Sequence, residues 1–197
     1  SKQLVKLSKN KTKYLVMEAS SHGLHQKRFY GLKFDVCILT NISQDHLDYH
    51  KTMNSYLKAK LALFEDILKN KASIISDREI KPFKQLSLIA KKKNIKLLEI
   101  EQELEKIKNI SLKTLSDFKL KNLAMAIKAT KLCGLNDKLI YKNLKKLKEV
   151  SGRMELVKNY FNNIKVYVDY AHTPDALLKA LKFLKNKYRN NISLVFG

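Results

Sequence analysis

Just after an apolar run, the chain sets two aspartates and two histidines close together: Asp45, His46, Asp48 and His50. A helix-forming stretch with one misplaced lysine follows. If Thr52 caps a helix that runs to about residue 69, the 100° step puts Met53, Tyr56, Leu57, Lys60, Leu63, Phe64 and Ile67 on one face. Lys60 then sits inside an apolar stripe, while Lys58 points the opposite way. A buried ammonium loses much of its hydration, so such a lysine must snorkel, pair, give up its proton or be chemically modified. His46 and His50 have the HxxxH spacing of a zinc pair, but the glutamate of HExxH is missing and no further soft ligand follows, which disfavours zinc.

The elements that position these residues read as alternating strands and helices. After a helix end around Leu4 and Leu7, residues 12–19 (TKYLVMEA) form a run that is apolar on both faces, as in a strand buried inside a parallel sheet. It ends in Glu18 and a turn of small polar residues. A second such run, 34–41 (FDVCILTN), ends in the Asp/His-rich loop. In an open α/β sheet the ligand crevice lies outside the carboxyl ends of the strands, so Glu18, Asn41 and His46 are expected to meet in one site. Strands over 72–76 and 95–99 enclose a helix over 79–93. The stretch 101–116 has a weak pattern and reads as irregular or partly helical. Helices over 118–132 and 137–148 follow, the first stopped by Gly134.

Ser151-Gly152-Arg153 breaks the helical pattern and marks the expected boundary between a domain of residues 1–150 and a second unit of residues 151–197. That unit reads as a strand at 154–158, a turn at Asn162-Asn163, a strand over 164–171, a helix from Pro174 to Tyr188 and a last strand over 192–197. A buried strand at the final residue leads us to expect a fragment. The fold class is α/β, a mostly parallel open sheet flanked by helices plus the first part of a second α/β domain.

Composition narrows the function classes. The formal charge of +22 on 197 residues suggests polyanions, but only four of the 40 basic residues are arginines, and the lysines are spread over nearly every expected helix. No basic segment interleaved with aromatics emerges, so nucleic-acid binding is disfavoured and an anionic small substrate favoured. Cys37 and Cys133 lack metal-like spacing and read as reduced thiols. With no run long enough to cross a membrane and no signal-peptide pattern, a soluble, cytoplasmic protein without membrane partners is expected.

The run MEASSHGLHQKRFYGLKFDVCILTNISQDHLDYHKTMNSYLKAKLALF resembles the central domain of the Mur ligases, and the later SGRMELV and VDYAHTPDAL are similar to that family's entry into its third domain. Within the family the likeness is greatest to the MurE branch, which adds the third peptide residue of peptidoglycan to UDP-N-acetylmuramoyl-L-alanyl-D-glutamate. The resemblance implies ATP-driven phosphorylation of a substrate carboxylate, followed by displacement of phosphate by an amine, with Mg2+ neutralising the transferring phosphoryl group. It implies Glu18 and His46 as magnesium ligands and Lys60 as a lysine carbamylated by carbon dioxide, which also serves the metal. Lys60 and His46 would be the catalytic residues.

By the same resemblance Ser20, Gln26 and Arg28 hold the muramyl peptide. His22 is open between a turn contact and a substrate contact. Asn122 would contact adenine, although Lys119 replaces the asparagine that usually precedes it. Arg153, Asp169 and His172 would approach the nucleotide, whereas packing is the preferred role for Tyr170. A monomer is implied, with meso-diaminopimelate favoured over lysine as the added residue. No GxxxxGK[ST] loop is present, so these 197 residues alone are expected to be inactive. The alternatives are a ligase similar to folylpolyglutamate synthase and a non-catalytic basic nucleic-acid-binding module.

Overall fold

A computed structural model describes residues 2–110, 115–189 and 192–196. Its elements in chain order are α1 (Lys2–Lys9), α2 (Ser21–His25), β1 (Phe34–Leu39), α3 (Leu47–His50), α4 (Met53–Asp66), β2 (Leu68–Ser76), α5 (Phe83–Lys93), β3 (Lys96–Glu99), α6 (Glu101–Asn109), α7 (Asp117–Leu132) and α8 (Asp137–Asn143). The second unit holds β4 (Glu155–Asn159), β5 (Lys165–Val168) and α9 (Pro174–Tyr188).

The strands β1, β2 and β3 form a parallel sheet in that order, with Cys37 opposite Ile74 and Ile75 opposite Leu98. Parallel neighbours need a crossover, supplied here by α4 and α5. The two-residue period of a strand then divides the core. Cys37, Leu39 and Ile74 face Leu63, Phe64 and Leu86 on one side. Val36, Ile38 and Ile75 face Ile107, Met125 and Ile140 on the other. Both layers follow from near-continuous apolar strands, and Ile74 and Ile75 are fully buried.

The helix α4 starts where its cap predicts: the Thr52 hydroxyl accepts the Ser55 N–H at 3.1 Å. It ends at Asp66 rather than near residue 69, because Leu68 already begins β2. The helix expected from residue 79 begins at Phe83, after Pro82 at its cap position. The weak stretch after residue 100 holds a real helix, α6, and its later part includes residues 111–114, which lie outside the described residues. Gly134 and Gly152, at φ +89° and +67°, provide the left-handed turns that stop α7 and open the second unit.

Two expected strands do not form. Residues 12–19 form no ladder with any strand among the described residues, leaving Tyr14, Leu15 and Val16 exposed, because an apolar run becomes a strand only where another strand accepts its backbone. Residues 192–196 likewise join no ladder among the described residues, while 190, 191 and 197 lie outside them. The second unit contributes an antiparallel β4–β5 hairpin, turning at Asn163 with φ 60°, and the helix α9, whose Thr173 cap accepts from the Ala176 N–H at 3.3 Å. Among the described residues, no helix is long and apolar enough to cross a membrane.

Candidate active site

The apolar stripe of α4 buries Tyr56, Leu63 and Phe64, and it carries Lys60, half-buried, among them. The Lys60 ammonium lies 3.5 Å from the carbonyl oxygen of Ala19 and 6.0 Å from the centre of the Tyr56 ring. Burial holds its pKa below the usual lysine value, while the carboxylates of Glu18 and Asp45 pull the other way. The segment 12–19 therefore still delivers Glu18 and Ala19 to the lysine, although it does so without joining the sheet. Lys60 does not snorkel into open solvent; it is held at a depth where the neutral amine gains ground.

Asp45 is the hub that the spacing alone did not single out. Its Oδ1 accepts the His46 N–H at 2.8 Å, which braces His46 in the left-handed conformation, φ 54° and ψ 27°, at the start of α3. Its Oδ2 lies 3.5 Å from His46 Nε2 and 3.8 Å from His172 Nε2, so one carboxylate faces histidines from both units. The contact spans 127 positions, which is why no local pattern could indicate it. Around it the rings of His22 and His46 meet edge to face at 4.8 Å, and those of His50 and Tyr56 lie tilted against each other at 5.4 Å. His22 packs on Tyr49 at 4.2 Å, a ring contact within the protein. Asn41 stays apart: it is exposed, and its side-chain oxygen accepts the neighbouring Ile42 N–H.

The segment holding Ser20, Gln26 and Arg28 folds as α2. Ser20 caps it by accepting the Gly23 N–H at 3.1 Å, which leaves the hydroxyl proton free to donate outward. Gly23 is required here, since a Cβ would lie 3.0 Å from the Phe29 ring and 3.2 Å from Ser20 Oγ. Gln26 and Arg28 are exposed beyond the helix end. Two side-chain contacts fasten α2 to α3: the buried pair of His50 Nε2 and Ser21 Oγ at 2.9 Å, and Tyr49, whose hydroxyl lies 2.9 Å from His25 Nδ1 and 3.4 Å from Gln26 Nε2. Burial, with the neighbouring His22 and His25, lowers the pKa of His50.

On the second unit, Arg153 stacks 4.6 Å above the Tyr170 ring, and Tyr170 meets His172 at 5.1 Å. Tyr170 is 64% exposed, so its expected packing role is corrected: a residue this open serves as a platform for the guanidinium rather than as core. Asp169 accepts the Met154 N–H at 2.7 Å and the Ala171 N–H at 2.9 Å, bracing Met154 at φ 48°. Asn122 is exposed on α7, one residue after Lys121. Lys121 is held by the nearly buried Asp77 at 2.7 Å and by Glu79 at 2.5 Å, and these bonds outweigh burial to raise its pKa. Asp77 directly follows β2, a strand-end carboxylate the sequence reading passed over. Ser116 and Lys119 border a cavity of about 280 Å3 against Met154, Tyr167 and Phe183. A larger hollow, of about 620 Å3, lies at the opposite end of the sheet, beside Asp35 and Lys96, away from all of these residues.

The two cysteines are free, and burial raises the Cys37 thiol to about 12. Among the described residues, no three His, Cys, Asp or Glu side chains converge as a ready-made metal site.

Comparison with known proteins accords with this arrangement. The Mur ligase middle domain matches residues 1–132, and the Mur ligase glutamate ligase domain matches residues 152–197. A protein of Rickettsia bellii (strain RML369-C) named UDP-N-acetylmuramoyl-L-alanyl-D-glutamate--2,6-diaminopimelate ligase is 37% identical over 98% of this chain, which spans 44% of that relative. A solved structure of an enzyme with the same name superposes with a TM-score of 0.62 at 27% identity, covering 85% of this chain and 39% of that one. A MurF structure from Acinetobacter baumannii superposes with a TM-score of 0.62 at 14% identity over 76% of this chain and 37% of its own, which bears on the fold alone. The chain thus spans under half the length of the relatives it matches, and it belongs to the Mur ligase family.

Proposed function

We propose that the intact protein is an ATP-dependent amide ligase of the MurE type, acting on UDP-N-acetylmuramoyl-L-alanyl-D-glutamate and adding meso-diaminopimelate. The observation that carries this reading is Lys60, half-buried on the apolar face of α4 with its ammonium 3.5 Å from the Ala19 carbonyl, where burial lowers its pKa against the opposing charges of Glu18 and Asp45. The neutral amine attacks carbon dioxide and loses a proton to water, so that a cation becomes an anionic carbamate. That change would set three anionic oxygen groups against one another, a donor set that suits Mg2+, with His46 beside it. When bound there, Mg2+ supplies neutralisation of phosphoryl charge.

In the reaction, a substrate carboxylate oxygen attacks the γ-phosphorus of ATP and ADP leaves. The incoming amine then attacks the acyl carbon, phosphate departs, and the amine proton passes to solvent. The chain's own residues orient these partners. Ser20, Gln26 and Arg28 offer a hydroxyl, an amide and a guanidinium to the substrate anions. Arg153, steadied on Tyr170, and His172 face the nucleotide from the second unit, and Asp169 braces the turn between them. Asn122 serves adenine, with Lys119 altering the approach.

We assign residues 1–150 to the central domain and the remainder to the entry of the next one, in a cytoplasmic, monomeric enzyme. The test is phosphate release by the intact protein. It should require ATP, the UDP-muramyl dipeptide and meso-diaminopimelate together, and lysine should replace the last poorly. Phosphate release that does not depend on the dipeptide contradicts the reading.

A further inference from the structure

We infer that Tyr49 is a positioning residue, whose hydroxyl fixes Gln26 for the substrate. This rests on the reading that Gln26 holds the muramyl peptide. Gln26 closes α2, and its backbone is already tied down by a bond from its N–H to the His22 carbonyl at 2.8 Å. Its side chain, however, is exposed, and a free glutamine loses rotamer entropy whenever it grips a ligand. The Tyr49 hydroxyl removes part of that cost. It accepts from Gln26 Nε2 at 3.4 Å and donates to His25 Nδ1 at 2.9 Å, a chain that closes when His25 carries its proton on Nε2. Gln26 keeps its carbonyl oxygen and its second N–H for the ligand.

The placement of Tyr49 gives the contact its meaning. Tyr49 lies on α3, the four-residue helix that His46 begins and His50 ends. His50 anchors that helix to α2 through Ser21, which is fully buried, at 2.9 Å. The element that His46 begins, with its ring beside Asp45, therefore also sets the angle of the substrate-side amide, so the two halves of the site share one short helix. The Tyr49 ring is engaged separately, packing on His22 at 4.2 Å and His50 at 4.8 Å. Tyr49→Phe keeps that packing and removes only the hydroxyl.

The experiment is calorimetric titration of the intact protein, with UDP-N-acetylmuramoyl-L-alanyl-D-glutamate and with ATP separately, for Tyr49→Phe, Gln26→Ala and the double variant. We expect Tyr49→Phe to weaken binding of the UDP-muramyl dipeptide about fivefold, the worth of one ordinary hydrogen bond, and to leave ATP binding unchanged. The double variant should bind the dipeptide no more weakly than Gln26→Ala alone, because the bond to His25 meets no ligand and the hydroxyl reaches the dipeptide through that amide. If Gln26→Ala weakens dipeptide binding while Tyr49→Phe does not, the positioning role is overturned and the substrate reading stands. Additive losses, or equal losses for dipeptide and ATP, also overturn it, since they mark a general structural role. If neither variant changes dipeptide binding, the substrate assignment of Gln26 fails and the inference falls with it.

Discussion

At the scale of single residues, the site depends on charges that have little to do with stability. Glu18 is exposed, and among the described residues no hydrogen bond or ion pair ties its carboxylate to the fold, yet its charge acts on Lys60. Glu18→Gln should leave the melting temperature of the intact enzyme unchanged while lowering kcat by about two orders of magnitude or more, as expected for a group used only in the transition state. A variant with normal kcat at saturating Mg2+ would remove Glu18 from the site. Asp45 behaves differently because it has two tasks. Asp45→Ala loses both the charge near Lys60 and the bond that holds His46 at φ 54°, so activity and thermal stability should fall together. That contrast, read by kinetics and calorimetry on the same samples, separates a chemical carboxylate from a bracing one.

At the scale of elements, α4 is positioned by its cap and its stripe. Thr52→Ala removes the acceptor for the Ser55 N–H and should cost about 1 kcal/mol in chemical denaturation. Gly23→Ala should be costlier than its exposed neighbours, because the new methyl meets Phe29 at 3.0 Å. These elements were legible in the sequence because their causes are local: a cap residue, a 3.6-residue stripe, a two-residue alternation, a glycine after a helix. The depth of Lys60 was legible for the same reason. What could not be read was long-range. Residues 12–19 have the composition of a buried strand, but pairing is a property of the neighbour, and among the described residues no strand forms a ladder with them. Asp45 meets His172, and Asp77 meets Lys121, across gaps that no spacing rule covers. Tyr170 was expected to pack, and its role as a platform emerged only once Arg153 was seen to lie over it.

At the scale of the whole molecule, acid should loosen the helical layer that backs the sheet. Glu103 on α6 is nearly buried and joins Lys128 and Lys131 of α7 at 2.7 and 3.1 Å. Burial alone would raise its pKa, but the two lysines outweigh it and hold the carboxyl below its ordinary value of 4.5. A depressed carboxyl contributes stability that is fully present above the unfolded-state pKa and is lost as the pH falls through the folded-state one. His50, kept neutral by burial, acts in the same direction from about its ordinary value of 6.5 downward, since the unfolded chain takes up that proton first. Stability should therefore begin to decline below about pH 6.5 and fall further below about pH 4.5. Glu103→Gln should remove the lower part of this dependence and cost about 2 kcal/mol at neutral pH. Denaturant titrations from pH 7 to 3 would check both parts, and a Glu103→Gln profile parallel to wild type would contradict the assignment.

The claim on which the rest depends is that Lys60 is a carbamate in the working enzyme. The direct measurement is carbon-13 NMR of the intact protein at mildly alkaline pH with labelled bicarbonate and Mg2+, alongside Lys60→Ala. A carbamate resonance is expected in the wild type and not in the variant, with near-complete loss of ligation in Lys60→Ala and partial recovery when a small carboxylate is added to the buffer. No carbamate signal under these conditions, together with a Lys60→Met variant that retains most of its activity, would contradict it.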